Sequence, residues 1–245
     1  MKIAVISDVH GNFWALEAVL KDIKARGVDR VLNLGDCVYG PLAPLETALL
    51  LRDGLILSIK GNRDRAVVEK GKRAAEDLTA AFVRSRLDEA SLRWLRYLRS
   101  TDVYASNVFL CHGCLDSDEI HLFERVSALG VSLRADFELL RHVLLVKQNL
   151  ILCGHSHIFR AAVLPDGTTV VNPGSVGLPA YRSTRPFPYI MAAGSPFARY
   201  AAIESRGSGY RVESVEVRYD WDAAAAAALA NGRPDWAVWL RTGRA

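Results

Sequence analysis

Five separate segments each end an apolar run with residues able to ligate a metal ion: Asp8 and His10, Asp36, Asn62, His112, and the pair His155 and His157. They read Ser7-Asp8-Val9-His10, Gly35-Asp36, Gly61-Asn62-Arg63-Asp64, His112-Gly113 and Gly154-His155-Ser156-His157. Mixed carboxylate, amide and imidazole donors suit divalent transition metals. A carboxylate has two oxygens with spare lone pairs, so one Asp can bridge two ions. Two adjacent divalent ions acidify water, clamp phosphoryl oxygens and stabilise a leaving charge. Residues i and i+2 of extended chain face one side, so Asp8 and His10 can converge on one ion.

The motifs and their order resemble the calcineurin-like metallophosphoesterases, from the first residue to about residue 175. Val9-His10-Gly11-Asn12 followed by Leu16-Glu17-Ala18-Val19-Leu20 looks like the family opening. Asn172-Pro173-Gly174-Ser175-Val176-Gly177 looks like its late loop, expected to buttress the site without ligating metal. The resemblance implies one ion held by Asp8, His10, Asp36 and His157. It implies a second held by Asn62, His112 and His155, with Asp36 bridging the two. Manganese leads among the metals, and iron, zinc or nickel also fit such donors. The implied activity is hydrolysis of a small phosphate ester by a metal-bridging hydroxide, with phosphodiesterase slightly favoured. Phosphomonoesterase or phosphoprotein phosphatase is the alternative within the enzymes. Outside them stands a catalytically weak scaffold module on the same fold, a role that a retromer subunit shows to be open to it.

Arg63 departs from the pattern. Many family members carry a His after the Gly-Asn pair, oriented by the next acid, to protonate the leaving oxygen or stabilise phosphate charge. Arginine cannot act as an acid near neutral pH. It can hold a phosphate oxygen by charge-assisted hydrogen bonds. Asp64 could orient Arg63 or cap the following helix. Three readings stay open: Arg63 binds phosphate and the leaving group needs little protonation; the acid comes from elsewhere; or activity is crippled and the fold serves binding.

The elements that must position these residues follow from periodicity. Lys2 to Ile6, Val28 to Leu34 and Leu55 to Ile59 read as strands, and Asn12 to Arg26 and Pro44 to Arg52 as helices. This βαβαβ alternation predicts a mostly parallel sheet, with ligands gathering at strand carboxyl ends. Residues 73 to 100 read as two cap-like or side-layer helices. Val103 to Cys111 reads as a hairpin, and Asp118 to Val146 as mainly helical, with His121 and His142 read as structural or surface residues because neither has a paired ligand motif. Leu150 to Cys153 is a strand, and Phe159 to Leu164 and Thr168 to Val171 flank a Pro-Asp-Gly turn. Residues 179 to 196, with four prolines, read as an irregular loop that shapes substrate choice together with the cap-like helices, Arg182 and Arg185. Arg199 to Ile203 and Tyr210 to Val217 pair, and the tail from about 220 to 245 is helical, its Trp221, Trp236 and Trp239 packing in the core. The expected fold class is α/β, a four-layer αββα sandwich of two mixed sheets, in one domain spanning 1–245.

Composition sets bounds. A net charge of +4 suits an anionic substrate, and scattered arginines give no strong nucleic-acid signature. No apolar run approaches the roughly 18 residues of a membrane span, and no secretory signal precedes Asp8, so a cytoplasmic location is expected. Four cysteines, all flanking the motifs, are too few for a disulfide scaffold. Oligomeric state is not legible.

Overall fold

The computed structural model describes residues 1–54, 56–69 and 76–245. The N-terminal half runs β1 (Lys2–Ile6), α1 (Phe13–Arg26), β2 (Arg30–Asn33), α2 (Pro44–Asp53), β3 (Leu57–Ser58), α3 (Asn62–Val68), α4 (Leu78–Arg86), α5 (Glu89–Tyr97), β4 (Thr101–Tyr104) and β5 (Val108–Cys111). It continues through β6 (Glu124–Ser127), β7 (Gly130–Leu133), α6 (Asp136–Val143), β8 (Leu150–Leu152), β9 (Phe159–Val163) and β10 (Thr169–Pro173). The last elements are β11 (Ala180–Ser183), β12 (Tyr189–Ala192), β13 (Ala198–Arg206), β14 (Gly209–Val217), α7 (Trp221–Ala230) and α8 (Pro234–Thr242).

Two five-stranded mixed sheets form the centre, ordered β14-β13-β1-β2-β3 and β4-β5-β8-β10-β9. In the first, β1, β2 and β3 are parallel and β13 and β14 antiparallel. In the second, β5, β8 and β10 are parallel and β4 and β9 antiparallel. Side chains alternate across each strand. Ile3 and Val5 meet Val108, Leu110, Leu150 and Leu152 in a core between the sheets. Ala4 and Ile6 face the other way, onto Leu16 and Val19 of α1 and Leu51 of α2. Ile151 and Val170 face Leu139 and Val143 of α6 on the far side. The result is helix, sheet, sheet, helix, and the parallel strands of both sheets end at one rim.

Local chemistry fixes the entry to that rim. The Asn12 side chain caps α1 by accepting from the Ala15 amide at 3.1 Å. Gly27, at φ 60°, ends it in the left-handed region where a Cβ would be strained.

Two expectations change, and a third, left between a cap and a side layer, is decided. Residues 118 to 146 hold the β6–β7 hairpin, with helix only at α6. Gly130, at φ 105°, turns the chain, and Val126 pairs with Val131. The 179 to 196 segment is the β11–β12 hairpin rather than an irregular loop. Pro179, Pro186, Pro188 and Pro196 all fall outside its paired positions, where a missing amide hydrogen costs no ladder bond. The helices α4 and α5 form a side layer in the same core as α1 and α2, through Ala80, Val83 and Leu95. Residues 73–75 of the segment expected there, and Leu55 of the third strand, lie outside the described residues. No helix among the described residues is long and apolar enough to cross a membrane.

Candidate metal centre

Asp8 follows β1, Asp36 follows β2, Asn62 follows β3, His112 follows β5, and His155 and His157 follow β8. All seven residues chosen from sequence converge between the two sheets. The loops that carry them are sewn together: the Asp8 amide donates to Gly35 O at 3.0 Å and the His10 amide to Asp36 O at 2.9 Å. Of the seven described non-glycine residues at positive φ, five are Asp8, His10, Asp36, His155 and His157. Such backbone costs about 1–3 kcal/mol per residue and persists where surroundings over-determine it. Gly61 is required by contact: a Cβ there would collide with Asp36 Oδ1.

The side chains form two groups, Asp8 with His10 and His157, and Asp36 with His112 and His155. Within each, the ligand atoms lie within 4.8 Å of one another. Three imidazoles are tethered through Nδ1 to main-chain carbonyls: His10 to Tyr39 at 2.8 Å, His112 to Leu34 at 2.8 Å and His157 to Leu178 at 2.6 Å. A carbonyl only accepts, so each Nδ1 carries the hydrogen and each Nε2 points inward, where it can ligate a metal once that atom is deprotonated. Asp8 Oδ1 is buried without a hydrogen-bond donor. Around it stand Nε2 of His157 at 3.3 Å and of His10 and His112 at 4.0 Å. Asp36 Oδ1 accepts from the Arg63 amide at 2.8 Å, while Oδ2 lies 3.7 Å from His10 Nε2 and 3.5 Å from His112 Nε2. One carboxylate oxygen is thereby fixed and the other faces both groups. Asn62 Oδ1 stands 3.1 Å from His112 Nε2. An orphaned buried oxygen ringed by imidazole nitrogens is the donor set of a divalent cation, so the residues fit the metals.

Electrostatics agree. Burial would raise the Asp8 carboxyl, but His157 and His112 together outweigh it and bring the pKa down to about 2. Burial, then His157, pushes His10 down to about 4. Burial, then His112 and His121, drives His155 well below its usual value.

Asp64 acts as the cap. Its Oδ1 accepts from the Cys37 amide at 2.8 Å and its Oδ2 from the Gly61 amide at 3.0 Å, so its hydrogen bonds are not turned to Arg63. Arg63 lies over the Tyr39 ring at 5.1 Å, and Tyr39 Oη donates to Asp77 at 3.0 Å. The 172–177 loop buttresses the site: Ser175 Oγ donates to Asp8 O at 2.7 Å, and Asn172 Nδ2 to Gly154 O at 2.7 Å. All four cysteines are buried and unpaired. Burial pushes the Cys111 thiol up to about 12.

Residues that sequence reasoning passed over also reach the site. His121 is buried in the loop before β6, its ring 4.9 Å from that of His155, with Nε2 3.0 Å from Tyr181 Oη. Tyr181 also donates to His155 O at 3.3 Å. Among the described residues, His155 is the one of the four clustered histidines without a carbonyl tether, and this pair packs against it. Trp236 of α8 stands edge-on to His10 at 5.9 Å. Only the alternation of 180–183 could have announced Tyr181; no local signal marks Trp236. A pocket of ≈ 200 Å³ opens above the clusters, lined by His10, Asp36, His155 and His157 below and by Tyr39, Arg63, Tyr181 and Trp236 on its sides.

Residues 1–193 match the calcineurin-like phosphoesterase superfamily domain. The chain belongs to this superfamily. Calcineurin-like phosphoesterases generally bind divalent metals, in keeping with the two clusters. An uncharacterised protein of Methanocaldococcus jannaschii is 28% identical over 249 residues, covering 96% of this chain and 94% of that one. A metallophosphoesterase from Sphaerobacter thermophilus superposes with a TM-score of 0.74 at 25% identity over 98% of both chains. A hypothetical protein from Pyrococcus horikoshii shares this chain's fold with a TM-score of 0.77 at 19% identity, over 99% of this chain and 98% of that one.

Proposed function

We propose that this chain is a dinuclear-metal phosphoesterase acting on a small phosphate ester, with a diester favoured over a monoester. The observation that carries the reading is the pair of ligand groups facing Asp36 Oδ2 on the floor of one pocket, with Arg63 on its wall. Asp8, His10, Asp36 and His157 would hold one divalent ion, and Asp36, Asn62, His112 and His155 the other. When bound, such ions polarise phosphoryl oxygens and lower the pKa of water.

The chain's own groups do the positioning. The carbonyls of Tyr39, Leu34 and Leu178 fix three rings. The Arg63 amide holds the Asp36 carboxylate while its guanidinium, free of any ion pair among the described residues, grips a phosphoryl oxygen. Tyr39, pinned on Asp77, supports that guanidinium. Arg63 has no proton to give at neutral pH, so esters with acidic leaving groups react fastest. The pocket's ≈ 200 Å³ favours a small ester over a folded phosphoprotein. Four buried, unpaired cysteines support a cytoplasmic location, since thiols stay reduced there.

The test is hydrolysis of nitrophenyl mono- and diesters with added manganese, beside metal analysis, with Asp36→Asn and His112→Ala as controls. Cleavage that both variants abolish is expected. Protein that binds no metal and cleaves neither ester would overturn the reading in favour of a binding module.

A further inference from the structure

The pocket walls carry more than phosphate-ester cleavage requires. Arg182 of β11 lines the pocket, is exposed, and its side chain makes no hydrogen bond or ion pair among the described residues. Arg233 lines it as well, but its charge is met by Asp235 at 2.7 and 2.9 Å. Arg63 and Arg182 are therefore two cations without a carboxylate partner, one beside the ligand clusters and one farther along the wall. Trp239 of α8 and Tyr189 of β12 are half-buried rings on the same walls.

A second, more open pocket of ≈ 550 Å³ shares Arg182, Arg233 and Trp239 with the inner one. The two pockets share this wall. A phosphoryl group over the clusters would leave the rest of its ester running along the wall that carries Arg182 and Trp239. The wall that α8 builds lies beyond residues 1–193, the part that matches the family.

We propose that the outer pocket is a leaving-group subsite for a phosphate ester that carries a planar ring and a second anionic group. The ring stacks on Trp239, and Arg182 takes the second anion. An indole face binds any flat aromatic ring, and stacking is strongest for the broad rings of nucleobases. A guanidinium fork matches phosphate oxygens in pairs. A simple alkyl ester would leave both unused. The inference rests on the phosphoesterase reading, because the inner phosphoryl position comes from it.

Binding tests it without turnover. Manganese-loaded protein is titrated calorimetrically with adenosine α,β-methylene diphosphate and with methylene diphosphonate. The ring-bearing probe binds at least about tenfold tighter, near the low end for a base stacked on an aromatic side chain. Trp239→Leu removes most of that advantage. Arg182→Ala weakens both probes by about tenfold, the loss of one charge-assisted contact. Arg182 is exposed and partnerless, so its variant folds whatever the fate of Trp239→Leu. Equal affinity for the two probes in the unaltered protein, or no effect of Arg182→Ala, overturns the subsite. Nitrophenyl ester cleavage measured alongside separates the two ideas. Cleavage without ring preference sinks the subsite alone, and ring preference without cleavage sinks the hydrolytic reading and with it the leaving-group role, leaving only a ring-binding pocket.

Discussion

The Nε2 atoms of His10 and His157 lie 3.1 Å apart although each ring has committed its Nδ1 hydrogen to a main-chain carbonyl. At that distance the two nitrogens repel unless a proton on one ring bridges them or a metal ion takes both, and a divalent ion satisfies both at once. Manganese at about a hundred times its Kd then stabilises the fold by about 2.7 kcal/mol. For a chain of this size that raises the Tm by about 5–10 °C. Thermal scans with and without the ion measure it, and His157→Ala should lose most of the shift. An unchanged Tm in the unaltered protein would show that the rings do not share an ion.

Proton release distinguishes the second group. Burial disfavours charge on His112, but Asp36 at 3.5 Å and Asp8 outweigh it and hold its pKa up to about 10. In the metal-free protein this folded value exceeds the unfolded one near 6.5. The stabilisation it brings is complete below about pH 6.5 and is lost as pH rises through about 10. A metal needs the neutral ring, so binding to the metal-free protein at neutral pH displaces about one proton from His112. The apparent affinity there climbs about tenfold per pH unit. His10, held down to about 4 chiefly by burial, has no proton to lose at pH 7. Calorimetry in two buffers of different ionisation enthalpy counts the protons, and a count of zero contradicts this picture.

Asp64 is a stability residue. Burial and the Asp36 charge push its carboxyl up to about 7, yet both oxygens are occupied by the Cys37 and Gly61 amides. Asp64→Ala leaves two buried amides unpaired and should cost about 2–6 kcal/mol, at 1–3 each. Asp64→Asn, keeping one acceptor, should cost about half. Urea unfolding of metal-free protein gives both values, and an Ala variant as stable as the parent would refute the role.

Arg63 sets the dependence on leaving group. Loss of a general acid typically slows poor leaving groups by about 10²- to 10⁴-fold. Arg63→His should therefore raise turnover on alkyl esters and flatten the dependence of rate on leaving-group pKa. Assays across a series of aryl and alkyl esters compare the slopes, and equal slopes would count against an Arg63 that only binds.

Much of this was legible because strand ends advertise themselves. Asp8 and His10 sit directly after an apolar run whose alternation places Ile3 and Val5 between the sheets. The same regularity exposed β2, β5 and β8, and with them Asp36, His112 and His155. His121 was not legible because 118 to 146 carries enough leucine and charge to read as helix. Its place beside His155 depends on the β6–β7 hairpin and on Tyr181, which comes 60 residues later. Tyr181 itself sits in a proline-rich stretch whose pairing shows only once the prolines are seen to avoid the ladder positions. Trp236 reaches His10 through the docking of α8, a tertiary event that no local pattern encodes. Asp64 was ambiguous because capping and orienting demand the same residue at the same position.

The most direct measurement is anomalous diffraction at the manganese edge from crystals grown with the ion. Two peaks are expected, one among Asp8, His10 and His157 and one among Asn62, His112 and His155, with Asp36 between them. A single peak, or none, would contradict the two-metal centre on which the proposed hydrolysis depends.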